Sequence, residues 1–289
     1  MPISAKQVKE LRDRTGLGMM DCKAALQEAD GDLEQAIDAL RRKSALKAAK
    51  KASRTAAQGL LGLKVVADGK RAALVEVNIE TDFAARNPKF IAFVDRVAGA
   101  ALETGADGAQ LTNSFAEERE ALVQEIGENI NVRRAETLVA ETGCIGSYLH
   151  NDGRKGALVE LSIDDAELGR DLAMHITAHD PTPLVVRSAD LDASVIAKER
   201  EIFTAQAADS GKPPNIVEKI VEGRVRKFLA EVSLIDQAFI KDGELKVGKL
   251  LGAKGAETRR FARLEVGEGI AVAEEDFAAE VAAQAAGGS

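Results

Sequence analysis

Apolar positions near the start of the chain recur at helical spacing. Ser4 and Gln7 form a capping-box pair ahead of Val8 and Leu11, which predicts a first helix there. Gly16-Leu17-Gly18 breaks it, a second helix runs through Met20, Ala24 and Leu26, and Asp30-Gly31 stops that one. Asp32 with Gln35 caps a third, in which Leu33, Ala36, Ile37 and Leu40 recur at i, i+3, i+4 and i+7. A three-helix unit this small is marginal alone, so it is expected to dock on a larger body.

From Gly59 the period changes to two. Residues 60–66 and 72–79 alternate as strands around Asp68-Gly69, a strong hairpin signal. Asn87 caps a helix with Pro88 at its first position and an apolar stripe of Phe90, Phe93, Val94, Val97 and Ala101. Ser114 with Glu117 matches another capping box, opening a helix that ends near Gly127. The pattern then returns. Residues 68–80 (DGKRAALVEVNIE) align without gaps to 152–164 (DGRKGALVELSID), an offset of 84 with seven identities in thirteen. The second copy leads to a helix carrying Leu168, Leu172 and Ile176. Two copies are too few for a solenoid and point to two related α+β lobes, each with antiparallel strands and helices on one face.

Pro181 and Pro183 mark a boundary, and residues 192–232 read as a helical hairpin broken at Gly211-Lys212-Pro213-Pro214. Its first arm carries Val195, Ile196, Ile202 and Phe203, its second Val221, Val225, Phe228 and Val232. The arms are expected to pair antiparallel. Residues 261–266 alternate as a strand, and a final helix over 276–285 places Phe277 and Val281 on one face.

The 289 residues, 45% apolar and 30% charged, are those of a soluble chain of two or three domains and exclude wholesale disorder. With 39 Lys+Arg against 47 Asp+Glu the net charge is −8, which argues against a general nucleic-acid binder. Residues 41–54 nevertheless hold seven basic side chains in fourteen. An RNA-binding stripe or a solvated helical linker would both look like this; the lack of an interleaved aromatic platform favours the linker, and no direct nucleic-acid partner is expected. Cys22 and Cys144 cannot make a disulfide framework. Neither a signal peptide nor a transit pattern opens the sequence, and no apolar run approaches the roughly 18 residues of a membrane span. A cytoplasmic location and no membrane partner are expected.

Motifs for chemistry are missing. The sequence has no GxxxxGK[ST] and no GxSxG. His175 and His179 lie four apart, but HITAH lacks the Glu of HExxH, and ordinary helical histidines are the plainer reading. Cys22 sits near a helix start without a sequence signature for a base and reads as a small buried residue. No cofactor, metal or enzymatic activity is expected, which leaves binding. One segment stands out: in NIETDFAARNP, Phe83 sits among polar residues between a strand and a Pro-started helix. It is either a core plug or a side chain kept for a partner.

RTGLGMMDCKAAL (14–26), NIETDFAARNPKF (78–90), IGENINVRR (126–134), GRVRKFLAEVSLIDQAF (223–239) and LEVGEGI (264–270) together closely resemble, in order, the bacterial elongation factor Ts family. The resemblance spans essentially the whole chain. It implies a guanine-nucleotide exchange factor in translation elongation, whose partner is elongation factor Tu carrying GDP. It also implies an N-terminal ubiquitin-associated-like domain with its basic linker (1–54), a first core lobe (55–142), and a second lobe (143–186 and 233–272). A helical hairpin, or coiled coil, is inserted at 187–232, and a C-terminal helical module follows at 273–289. Carried over by matching segments, Arg12, Met19, Met20 and Lys23 would touch the partner's G domain. Thr81, Asp82, Phe83 and Ala84 would dislocate its Mg²⁺. Ile126 and Gly127 would support that contact, while His150 and Ile240 would reach a more distant domain. Pairing of two chains through the hairpin is left open. Residues 4–43 alone would also suit an adaptor for ubiquitin-like proteins, and an enzyme with an unrecognised site is the other alternative; the adaptor leaves most of the chain unexplained.

Overall fold

The computed structural model describes residues 3–208 and 213–271. It opens with helices α1 (Ala5–Thr15), α2 (Met19–Glu28) and α3 (Leu33–Lys51). Both halves of the Ser4/Gln7 capping box form, and the Asp32 side chain accepts the Gln35 N–H. Leu11, Leu26, Ala36 and Leu40 pack in a small core as the helical spacing predicts, joined by Leu17 from the break and by Cys22, while Met20 of the predicted stripe faces outward. Helix α3 continues through the basic segment, where several cations are fastened to the rest of the chain. Arg41 pairs with Glu117 at 3.3 Å, Lys43 with Asp21 at 3.2 Å and Arg54 with Glu80 at 3.6 Å, while Lys51 Nζ donates to the Gly127 carbonyl. Such exposed pairs contribute little energy individually, but they set where the module sits.

The first lobe comprises β1 (Gln58–Val65), β2 (Arg71–Ile79), α4 (Asp82–Ala85), α5 (Pro88–Thr104), α6 (Gly108–Ser114), α7 (Ala116–Ile126) and β3 (Ile130–Val139). Its antiparallel sheet has the order β1-β2-β3. Asn87 caps α5 with Pro88 at the first position, and Phe90, Phe93, Val94, Val97 and Ala101 are buried against the sheet. The expected capping box at Ser114 does not form. The Ser114 hydroxyl instead donates back to the Gln110 carbonyl at 3.0 Å, inside the last turn of α6. The box lies one helix earlier, between Asp107 and Gln110, and α7 starts after Phe115 without a side-chain cap.

The second lobe repeats the plan with β4 (Cys144–Leu149), β5 (Lys155–Leu161) and α8 (Ala166–Ala178). Its third strand comes much later. Between them lie the helical hairpin α9 (Ala193–Ala208) and α10 (Pro214–Val232), a small ribbon β6 (Ala238–Phe239) and β7 (Asp242–Lys246), helix α11 (Val247–Ala253), and then β8 (Thr258–Glu265). The sheet order is β4-β5-β8, antiparallel throughout. The hairpin arms pack through Phe203 and Ala207 on one side and Val221 and Val225 on the other. The ribbon and α11 are elements that hydrophobic periodicity did not reveal. Gly211-Lys212 of the expected break and the expected C-terminal helix lie outside the described residues. Among the described residues no helix is long and apolar enough to cross a membrane.

The offset of 84 is a structural repeat. Asp68 and Asp152 each accept the N–H two residues on, from Lys70 and Arg154, at 2.9 Å. Gly69 and Gly153 both turn with φ of 68°, a left-handed conformation that suits glycine. The two lobes then grip each other reciprocally: Leu61 N–H donates to the Gly153 carbonyl and Ile145 N–H to the Gly69 carbonyl, both at 2.7 Å. Beneath these bonds Leu61, Leu74 and Leu138 of one lobe interdigitate with Ile145, Leu158 and Leu264 of the other.

Candidate functional site

The connection from β2 to α5 begins where the strand runs out of sheet partners. Thr81 has an extended backbone, and its hydroxyl accepts the Ala84 N–H at 3.2 Å, which starts the single-turn helix α4. Ala85 is buried and Ala84 packs on the lobe core, so Phe83 points the other way. It is 80% exposed. The structure therefore excludes the core-plug alternative for this ring. Asp82, half-buried, pairs with Arg86 one turn on at 3.2 Å.

Several fasteners fix this connection to the α7–β3 junction. The Glu128 carboxylate accepts the Thr81 N–H at 2.9 Å and its hydroxyl at 2.7 Å. In the opposite direction the Glu80 carboxylate accepts the Asn129 N–H at 2.6 Å. The Asn129 amide donates to the Arg54 carbonyl at 2.9 Å, which brings the end of the basic segment to the same place. Ile126 packs partly into the lobe core, and Gly127 closes α7 with φ of 90°. Thr81 to Ala84 and Ile126-Gly127 are thus neighbours in space. Glu80, Glu128 and Asn129 do not stand out in the sequence, because the bonds between these two segments join residues more than forty positions apart.

On the N-terminal module, Met19 and Met20 open α2 and are 58% and 77% exposed. Two large thioethers facing water suit an adaptable contact surface. Arg12 and Lys23 are exposed as well. Cys22 between them is fully buried, and burial pushes its thiol up. It has the environment of an inert packing residue.

The remaining two residues belong to the second lobe. His150 ends the β4 side of the hairpin turn, pairs with Asp152 at 3.0 Å, and lines a polar cleft with His179 and Asp180 at the end of α8. Ile240, 41% exposed, sits in the turn of the β6–β7 ribbon. Its N–H donates to Nδ1 of His175 at 3.1 Å. Nδ1 is therefore the acceptor, and Nε2 carries the proton that meets Gln237 Oε1 at 2.9 Å. Burial lowers the His175 pKa to about 4, which keeps the ring neutral. The Gln237 amide donates onward to the Pro181 and Glu231 carbonyls, tying the root of the hairpin to α8. The His175 and His179 rings lie 4.6 Å apart, and no cluster of three or more His, Cys, Asp or Glu suited to a metal occurs among the described residues.

This arrangement is a scaffold that displays side chains: a three-helix module, a duplicated α+β core and a projecting hairpin, with apolar groups held outward on short turns. A family model described as Elongation factor TS matches residues 80–268. The chain is 55% identical to elongation factor Ts of Saccharophagus degradans over 288 residues, covering 99% of both chains. It is 55% identical to that of Hahella chejuensis over 287 residues, again 99% of both. Identity to the Methylococcus capsulatus protein is 52% over 98% of this chain and 99% of that one. The chain belongs to the elongation factor Ts family. Its place is in translation, as an elongation factor of protein synthesis.

Proposed function

We propose that this chain is the guanine-nucleotide exchange factor for elongation factor Tu, acting in the cytoplasm by binding rather than by making bonds. The observation that carries the reading is Phe83, an 80% exposed ring on a single-turn helix fastened at its start. A ring so exposed contributes little to its own core and is available to fill an apolar slot in a partner. Its burial there would supply about 1.5–3 kcal/mol. Mg²⁺ demands near-ideal octahedral geometry, so a small displacement beside its site in the partner releases it, and the diphosphate then loses neutralising charge. Asp82, adjacent to the ring, would act on the ligands of that ion or hold the loop.

One ring is not enough to expel a tightly held nucleotide. The exposed Met19 and Met20 would add contact area on the G domain, with Arg12 and Lys23 beside them, and His150 and Ile240 would engage a second domain. Linkage closes the argument: whatever factor the chain takes from nucleotide affinity, nucleotide takes from the affinity of the chain. Stopped-flow GDP release from elongation factor Tu tests the reading. Phe83→Ala should slow stimulated release about tenfold or more, equivalent to about 1.4 kcal/mol of barrier, with an unchanged melting curve. Unchanged release with a lowered melting temperature would sink it.

A further inference from the structure

Helix α4 is four residues long, and its most prominent side chain points to solvent. So short a helix cannot sustain itself, because nucleating one turn costs more than its few hydrogen bonds return. Something outside it must set its direction. The Thr81 hydroxyl accepts the Ala84 N–H at the head of α4, and donates its own proton to Glu128 Oε1. Glu128 Oε2 takes the Thr81 N–H. Both oxygens of one carboxylate are therefore committed to the residue that caps the turn. The Glu80–Asn129 bond runs in the opposite direction beside it, so the two segments are crossed and locked against sliding.

We propose that Glu128 is a positioning residue: by clamping both polar groups of Thr81 it fixes the start of α4 and holds Phe83 in its outward direction before any partner arrives. This rests on the reading of Phe83 as the docking ring. Glu128 acts through Thr81 and touches nothing of the nucleotide. Its contribution is preorganisation, since a loose turn must be ordered at the moment of docking and the ordering subtracts from the work the ring performs.

The test measures maximal stimulated GDP release and its half-saturating concentration for the full chain and its variants, each with a melting curve. Glu128→Ala should lower the maximal rate about threefold to tenfold, the loss expected for two charge-assisted hydrogen bonds that act indirectly. Glu128→Gln should restore most of it, because the amide oxygen still accepts the Thr81 N–H and its NH₂ still meets the hydroxyl. Thr81→Val removes the hydroxyl link together with the cap on Ala84, so it should lower the rate at least as far as Glu128→Ala, with Thr81→Ser near the parent; this pair serves if Glu128→Ala folds poorly. In a Phe83→Ala background, Glu128→Ala should add nothing, since its route of action is gone. The same fold-loss in both backgrounds means a general structural role and overturns the proposal. So do parental rates in Glu128→Ala while Phe83→Ala is slow, an outcome that leaves the exchange reading standing. Unchanged release in Phe83→Ala itself overturns both.

Discussion

In lobe 1, residues 80–87 separate the central strand β2 from α5; in lobe 2, residues 162–165 separate β5 from α8. The scaffolds on either side of these connections correspond closely. Glu76 and Glu160, 84 apart, are buried on the two central strands, each opposite the second residue of an Arg-Arg pair on the neighbouring strand, with a register shift immediately after. The extra length in lobe 1 is what forms α4. At the offset of 84, the place of Phe83 is taken by Glu167, an exposed residue in the first turn of α8, whose N-cap is Asp165. The two lobes share the sheet and its clamp; they differ at the strand-to-helix connection, where lobe 1 carries an outward apolar ring. Lobe 2 diverged elsewhere, by accepting the helical hairpin and the β6–β7 ribbon before its third strand.

The clamps are alike in plan and unequal in depth, which makes them the strongest place to break the comparison. Glu76 is fully buried and bonded by Arg133, Arg134, Asn78 and the Gly267 N–H. Burial alone would raise its carboxyl, but the Gly267 N–H, Arg134 and Asn78 bring it below the usual carboxylate range. Arg133 and Arg134 are 25% and 29% exposed, against 42% and 54% for Arg259 and Arg260 at Glu160. Glu76→Ala should therefore cost about 3–5 kcal/mol in urea unfolding by leaving buried donors unpaired, and Glu160→Ala about 1–2. Equal costs would mean that the two clamps bear the same strain despite their different solvation.

Helix-to-sheet spacing gives the next contrast. Gly146 on β4 packs directly on Gly169 of α8, and a Cβ at 146 would lie 2.2 Å from the Gly169 carbonyl carbon. Its counterpart Gly62 faces Ala98 and Val94 of α5, where an added Cβ would meet the Ala98 methyl at 2.9 Å and the Val94 carbonyl oxygen at 3.0 Å. Both sites meet atoms that cannot swing aside, but the approach at Gly146 is much the closer. Gly146→Ala should cost about 3 kcal/mol and Gly62→Ala about 1, read from chemical denaturation.

Much of this plan was legible in the chain, and the reasons are local. Asp-Gly hairpins, the Asn87-Pro88 helix start and the Asp32 cap each carry their geometry within a few residues. What escaped depends on distance. The Arg133-Arg134 and Arg259-Arg260 pairs repeat at a different offset from the strands they face, because the inserted hairpin lengthens lobe 2. Nothing near Glu128 announces Thr81, and nothing in the run of lysines and arginines at 41–54 shows that Glu117, Asp21 and Glu80 fold onto it. Ser114 misled because its hydroxyl is taken by the Gln110 carbonyl at the end of α6, while the box that forms, Asp107 with Gln110, opens the helix before it.

A pH titration separates the lobes again. Lobe 1 contains no histidine, whereas lobe 2 buries His175 beneath its ribbon, near His179 and Phe239. Burial lowers the folded-state pKa to about 4, against 6.5 in the unfolded chain. Above pH 6.5 both states are neutral and the stabilising contribution is complete. As pH falls the unfolded chain takes up the proton first, so stability drops between 6.5 and 4, by about 2 kcal/mol at pH 5. Protonation would also set a donor at Nδ1 against the Ile240 N–H. His175→Asn, which keeps an acceptor facing Ile240, should flatten this part of the stability curve. An unaltered pH dependence in that variant would assign the effect to other groups.

The smallest change in stability is expected where the functional contrast is largest. Phe83→Glu gives the tip of lobe 1 the residue that lobe 2 carries at the same offset. The ring is 80% exposed and packs on nothing in the lobe core, so the unfolding free energy should move by no more than about 0.5 kcal/mol. A new carboxylate at the start of a short helix is, if anything, favourable there, since it lies beside unpaired backbone N–H groups. Exchange should respond otherwise. On the proposed docking of this ring, a carboxylate could not fill the apolar slot, and its burial near bound phosphates would be opposed by both desolvation and like charge. Stimulated GDP release should fall about tenfold or more, at least as far as with Phe83→Ala. Activity intermediate between the parent and Phe83→Ala would mean that the position tolerates a charge, and that the neighbouring Asp82 rather than an apolar wedge carries the effect of this turn.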